Sequence, residues 1–225
     1  MPKTGNIFTD IFSVAAIIFP LLPAGIVFIQ KKYRNDVLNL LMVLCLLNFV
    51  KQFLLFVPQL NGASQNVITA IFTLFEFVIL IQISKQALPD NTKRLANIFL
   101  IAFLSVIITF YLLEGIGQKM GAFEMLLSMV IIFTSILCIA QLIESNNLNI
   151  LNEPLFWVSA GSLFYFSISI LMHALSWYYD QMPKESLTEK EILIGIGSAA
   201  KYFLYTLAAL FYQEPSNGKE NRSSF

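Results

Sequence analysis

Two residues of opposite charge, Glu76 and Lys201, each stand near the middle of a long apolar run. A carboxylate and an ammonium can pair, exchange a proton or hold a polar ligand, and in apolar surroundings neither is stable alone. A charge at mid-membrane costs at least about 2.5–3.5 kcal/mol even on the lenient insertion scale, so two opposite charges at similar depth read as partners. Lys51 is a third charge inside such a run. A structural pair needs only two charges, and a neutral pair would pack at less cost, so the third points to a functional pocket.

The uncharged polar residues follow the same geometry. Asn66, Thr69, Thr73 and Glu76 recur at steps of three and four, which places them on one helical face, polar from one end to the middle and apolar beyond. That pattern describes a face lining a cavity. The run 155–178 carries Ser162, Tyr165, Ser169, His173 and Ser176, and the run 192–212 carries Ser198, Lys201 and Tyr205. Glu124, Ser128 and Ser135 share a face in 122–143; Asn48, Lys51 and Gln52 lie in 37–57; Asp10 and Ser13 lie in the first run. At 1.5 Å rise per residue, Glu76 is ~15 Å from Asn66, Lys201 ~14 Å from Ile192 and Lys51 ~10 Å from Pro58, so all three charges share one half of the bilayer.

The candidate ligand-binding set is Lys51, Thr73, Glu76, Tyr165, Ser169, His173, Lys201 and Tyr205. Each single Ser or Thr has a plainer role as well, bonding its own helix or gluing two helices together for about 0.6 kcal/mol. His173 reads as a hydrogen-bonded packing residue rather than a metal ligand, and Asp10 and Glu124, near the ends of their runs, reach water. Gly195, Gly197, Ser198, Ala199 and Ala200 precede Lys201, and Ala160, Gly161 and Ser162 lie in the run before it. Such small residues allow close helix packing and would also leave room for a ligand beside Lys201.

These residues must be positioned by membrane helices. Hydrophobic residues make up 57% of the chain and charged residues 12%, with 21 Phe, against roughly 45–50% apolar and about a quarter charged in soluble domains. Apolar runs of spanning length occur at 7–29, 37–57, 67–84, 95–113, 122–143, 155–178 and 192–212, each near the ~20 residues a span requires. The expectation is an all-α integral membrane protein: residues 1–213 as a seven-transmembrane-helix bundle and 214–225 as a short cytoplasmic polar tail. Pro20 and Pro23 kink the first helix, whose thin basic region and long apolar run do not suit a signal peptide.

Charge bias sets the orientation. With the N-terminus outside, Lys31, Lys32, Arg34, Lys85, Lys93, Arg94, Lys219 and Arg222 fall on the cytoplasmic side, against Lys3, Lys119, Lys184 and Lys190 on the other, which predicts N-out and C-in. The polar cluster then faces outward. Thr188 and Glu191 fit a capping box just before the last helix, and Pro154 fits the first turn of the helix it opens. Trp157, Trp177, Tyr178 and Tyr179 read as interfacial anchors. Cys45 and Cys138, at different depths, predict packing rather than a disulfide or a metal site. No phosphate loop, dinucleotide fingerprint or hydrolase motif occurs, so no cofactor and no nucleic-acid partner is expected.

Phe72-Thr73-Leu74-Phe75-Glu76-Phe77, followed by Pro154-Leu155-Phe156-Trp157 and Gly161-Ser162-Leu163-Phe164-Tyr165-Phe166, resembles an uncharacterised family of small bacterial seven-helix membrane proteins. The resemblance spans most of the chain. It implies residence in the bacterial inner membrane and association with signalling systems, and it carries over no catalytic residue. A lysine midway along the seventh run, with a carboxylate in the third, also resembles the retinal Schiff-base arrangement of rhodopsins. Microbial rhodopsins carry an aspartate four residues before that lysine; here Gly197 holds the position, and the third run lacks the accompanying arginine and carboxylate series.

The leading expectation is therefore a ligand-sensing or signal-relaying membrane protein. Its partners would be the lipid bilayer, a small-molecule or lipid ligand, and a separate signalling protein such as a sensor kinase, because only a short tail follows Tyr212. A small-solute or proton-coupled transporter, with Glu76 cycling its proton, is the alternative. Photoreception and intramembrane catalysis rank lower, the latter because no nucleophile or metal constellation accompanies the charged pair.

Overall fold

Long apolar stretches satisfy their backbone groups in lipid only by closing every hydrogen bond within the segment, so helices are the dictated element. The computed structural model describes residues 14–15, 17–56, 62–114, 120–145, 149–175 and 184–212. Within them the chain forms seven α-helices: α1 (Leu21–Ile29), α2 (Asp36–Leu55), α3 (Gly62–Ser84), α4 (Asp90–Glu114), α5 (Met120–Glu144), α6 (Pro154–Ala174) and α7 (Lys184–Phe211). No strand occurs among the described residues. The helices α2 to α7 each contain a stretch long and apolar enough to cross a membrane.

The bundle's outer surface fits that environment. Phe53, Ile101, Val106, Phe133 and Phe203 are all more than half exposed, and large apolar side chains exposed in such number suit lipid rather than water. The chain is a multi-pass helical membrane protein. The first helix is shorter than its apolar run: α1 has 9 residues, or ~14 Å. Residues 14–15 and 17–18 are also helical, and a turn at Phe19 and Pro20 separates them from α1. That is the expected break, since proline removes a helix donor and clashes with the preceding turn. The rest of the 7–29 run, with Asp10 and Ser13, lies outside the described residues, as do Ser176, Trp177, Tyr178, Tyr179 and the tail 214–225.

Local chemistry sets several ends. Asn35 caps α2, its Oδ1 accepting from the Leu38 N–H at 3.1 Å, and Pro154 occupies the first turn of α6, where its missing N–H costs nothing. Trp157 donates from Nε1 to the Leu151 carbonyl at 2.7 Å and stacks on Phe211, with ring centroids 5.8 Å apart. Lys32, in the turn between α1 and α2, reaches the far end of the chain: its Nζ donates to the carbonyls of Ala209 at 2.7 Å and Leu210 at 3.3 Å. A cation there satisfies carbonyls that the last turn leaves open and complements the helix dipole.

The start of α7 differs from the sequence expectation. The helix begins at Lys184 rather than near Ile192, so Thr188 and Glu191 lie within it rather than at its start. Glu185, Glu189 and Lys190 are good helix formers, and carboxylates near an N-terminus suit its dipole. Hydropathy marks the membrane-spanning part of a helix and is silent about its polar extension.

The helices pack in the ring α1–α2–α3–α5–α6–α7, with α7 also meeting α1, while α4 is the least buried of the long helices. It holds to the bundle through residues such as Phe103, whose ring lies 5.5 Å from that of Phe77 on α3. The helices α6 and α7 approach closely at Gly161. A Cβ there would stand 3.0 Å from Tyr205 Cε1, 3.2 Å from Leu204 Cβ and 3.2 Å from the Lys201 carbonyl oxygen.

Candidate functional site

The α3 face brings Thr69, Thr73 and Glu76 down from the end of the bundle toward its middle, and α7 carries Lys201 to meet them. Lys201 Nζ donates to Glu76 Oε1 at 2.9 Å. Both residues are buried, Lys201 at 2% exposure and Glu76 at 8%. Asn48 on α2 is buried as well, its Nδ2 donating to the Leu44 carbonyl at 3.2 Å. The ammonium is enclosed by aromatic faces: Nζ lies 4.0 Å from the centre of the Tyr165 ring, 4.9 Å from Tyr202 and 5.9 Å from Phe166. Such contacts stabilise a desolvated cation by about 2 kcal/mol each at most favourable geometry.

Above the pair lies a cavity of about 210 Å³. Its walls come from Lys51 of α2, the middle of α3, the first half of α5, the second half of α6 and Ile194 of α7. Six of the sequence candidates line it: Lys51, Thr73, Glu76, Tyr165, Ser169 and His173. Lys201 and Tyr205 do not. Lys201 sits behind Glu76, and Tyr205, fully buried, joins α6 to α7 through a 2.8 Å hydrogen bond between its hydroxyl and Ser162 Oγ. Lys51 stands a turn above Glu76 and donates to Thr73 Oγ1 at 3.4 Å. Among the described residues it is not ion-paired with the carboxylate.

Glu124 and His173 form a second polar pair at the mouth of the cavity. His173 Nε2 lies 3.0 Å from Glu124 Oε2, and both side chains are about a quarter exposed. Glu124, read from the sequence as a carboxylate reaching water, is partly exposed and also joins α5 to α6. Thr69 and Ser128 also line the cavity. Glu124 lies in the first turns of α5 and His173 in the last turn of α6, and the packing of α5 against α6 brings them to one depth.

Other hydroxyls behave as helix glue. Ser128 donates to the Glu124 carbonyl at 2.6 Å and Ser84 to the Leu80 carbonyl at 2.9 Å, each four residues back. Cys138 Sγ meets the Ser84 carbonyl at 3.3 Å, and both cysteines are free and buried. A larger apolar groove of about 480 Å³ between α1 and α7, lined by residues such as Phe19, Leu22, Ala199 and Phe203, has no charged wall and faces the lipid side. Chemistry therefore concentrates at the polar cavity, which offers one carboxylate pinned by a lysine, a second lysine, and a carboxylate–imidazole pair. No protein-family model, curated protein or solved structure matches the chain.

Proposed function

We propose that the chain is a seven-span membrane receptor, oriented N-out and C-in, that binds a small molecule in the cavity above Glu76 and passes its occupancy to a separate signalling protein. One observation carries the reading: a 210 Å³ cavity lined by Lys51, Glu76 and Glu124 descends from one end of the bundle to the buried charge pair. A ligand there would press on Glu76 and, through it, on Lys201, the buried pair that joins α3 to α7. The resemblance to signalling-associated bacterial proteins supports a sensor kinase as the partner and the inner membrane as the location.

Beyond Glu76 the bundle is filled by Phe77, Leu80 and Ile83 of α3 and Leu41 and Leu44 of α2, all buried. A cavity with one end suits sensing. Transport by alternating access would require the same helices to open on the other side, and counterflow uptake into proteoliposomes would reveal it. Photoreception is disfavoured because an imine at Lys201 Nζ would form inside a ring of aromatic side chains and away from the lumen. Native mass spectrometry of gently purified protein tests the proposal: a retained small molecule, released by Glu76→Gln, is expected, and a protein that carries and binds nothing would overturn it.

A further inference from the structure

The charges of the cavity are arranged in a definite order. Lys51 on α2 stands beside Thr73, with Thr69 one turn away on α3. Glu124 stands on α5, on the other side of α3, held by His173. Glu76 lies between them but is already matched by Lys201 at 2.9 Å. The full charges left facing the lumen are a cation at one side and a carboxylate at the other. Among the described residues they are not paired with each other.

We propose that the ligand is a small zwitterion, its anionic group held by Lys51 and the Thr73 and Thr69 hydroxyls and its cationic group by the Glu124 carboxylate. This rests on the reading of the cavity as a ligand site. With Glu76 matched by Lys201, the cavity keeps one lysine and one further carboxylate on different walls, Lys51 and Glu124. A ligand of net charge would leave an uncompensated charge in a poorly solvated site, whereas a dipolar ligand leaves none. The donors agree: an ammonium and two hydroxyls suit a carboxylate or phosphate, and a carboxylate suits an amine. Size agrees too. An apolar cavity of about 150 Å³ accepts benzene, so 210 Å³ fits roughly six to ten non-hydrogen atoms, the range of amino acids. The headgroup of an ethanolamine phospholipid has the same chemistry.

The test is thermal stability of the purified, delipidated protein with the twenty protein amino acids, 4-aminobutyrate and O-phosphoethanolamine, beside butyrate and butylammonium at equal concentration. At least one zwitterion should raise the melting temperature while the singly charged analogues do not. Lys51→Met and Thr73→Val, each read against its own unliganded baseline, should weaken that effect, Lys51→Met by about 30-fold or more in apparent affinity. A response to O-phosphoethanolamine alone, with ethanolamine phospholipid retained in native mass spectra, assigns the lipid source; a response to a free amino acid assigns the soluble one. Butyrate or butylammonium acting as strongly as any zwitterion overturns the ligand class and leaves the cavity as a binding site. So does a retained ligand that is not zwitterionic. No response in the panel and no retained mass overturns the binding site itself, and the inference with it.

Discussion

Glu76 and Lys201 illustrate how far single residues determine this bundle. A carboxylate and an ammonium 2.9 Å apart and almost wholly buried hold α3 to α7, and removing one partner leaves the other uncompensated. Glu76→Gln and Lys201→Met should each lower stability in detergent by about 3–5 kcal/mol, while the double variant recovers much of that loss. Thermal denaturation of the four proteins checks the cycle, and additive losses would mean that the charges are not coupled. Tyr165 tests the aromatic enclosure: Tyr165→Leu should cost about 1–2 kcal/mol and Tyr165→Phe far less, since the ring face, 4.0 Å from Nζ, is retained. The pair was legible in the sequence because isolated charges in apolar runs have few acceptable fates. The Glu124–His173 contact was not, because a carboxylate one turn from a helix end is compatible with water and its partner depends on which helices are neighbours. Asn48 was visible as a polar residue of α2, but its burial depends on the rotation of α2 within the bundle.

At the scale of helices, packing is decided by where backbones can approach. Gly161 places α6 against α7 so closely that an added methyl meets Tyr205, Leu204 and the Lys201 carbonyl at 3.0–3.2 Å. One of those is backbone and cannot swing away. Gly161→Ala should therefore lower stability by about 1–3 kcal/mol. Gly25 in α1 is the control, with nothing within 4 Å of the added Cβ; Gly25→Ala should leave stability unchanged or raise it by up to about 1 kcal/mol, because alanine is the better helix former. Melting curves that drop equally for both would show that space around Gly161 does not limit packing. Six of the seven expected spans followed from run length, as for α2, expected at 37–57 and found at Asp36–Leu55. The polar N-terminal extension of α7 did not, because the apolar signal that locates a span ends where the span does.

For the whole molecule, the ends of the bundle differ in charge as well as in content. The turn holding Lys31, Lys32 and Arg34, the α3–α4 connection with Lys85, and the C-terminal end of α7, tied to Lys32, share one end. Lys85 adds hydrogen bonds to Gln82, at 2.9 Å, and to Asn97 there. The polar cavity occupies the other end. Basic loops remain on the cytoplasmic side, so the cavity should face outward and single cysteines should report it. Cys45 and Cys138, both at most 1% exposed, give little background to a membrane-impermeant maleimide. In intact cells Ser64→Cys, at the start of α3, should label, while Ser145→Cys, just beyond α5, should label only after the membrane is permeabilised. The reverse pattern would place Lys51, Glu124 and His173 on the cytoplasmic side, where the cavity would sample intracellular metabolites and the proposed receptor would report on the cell's interior.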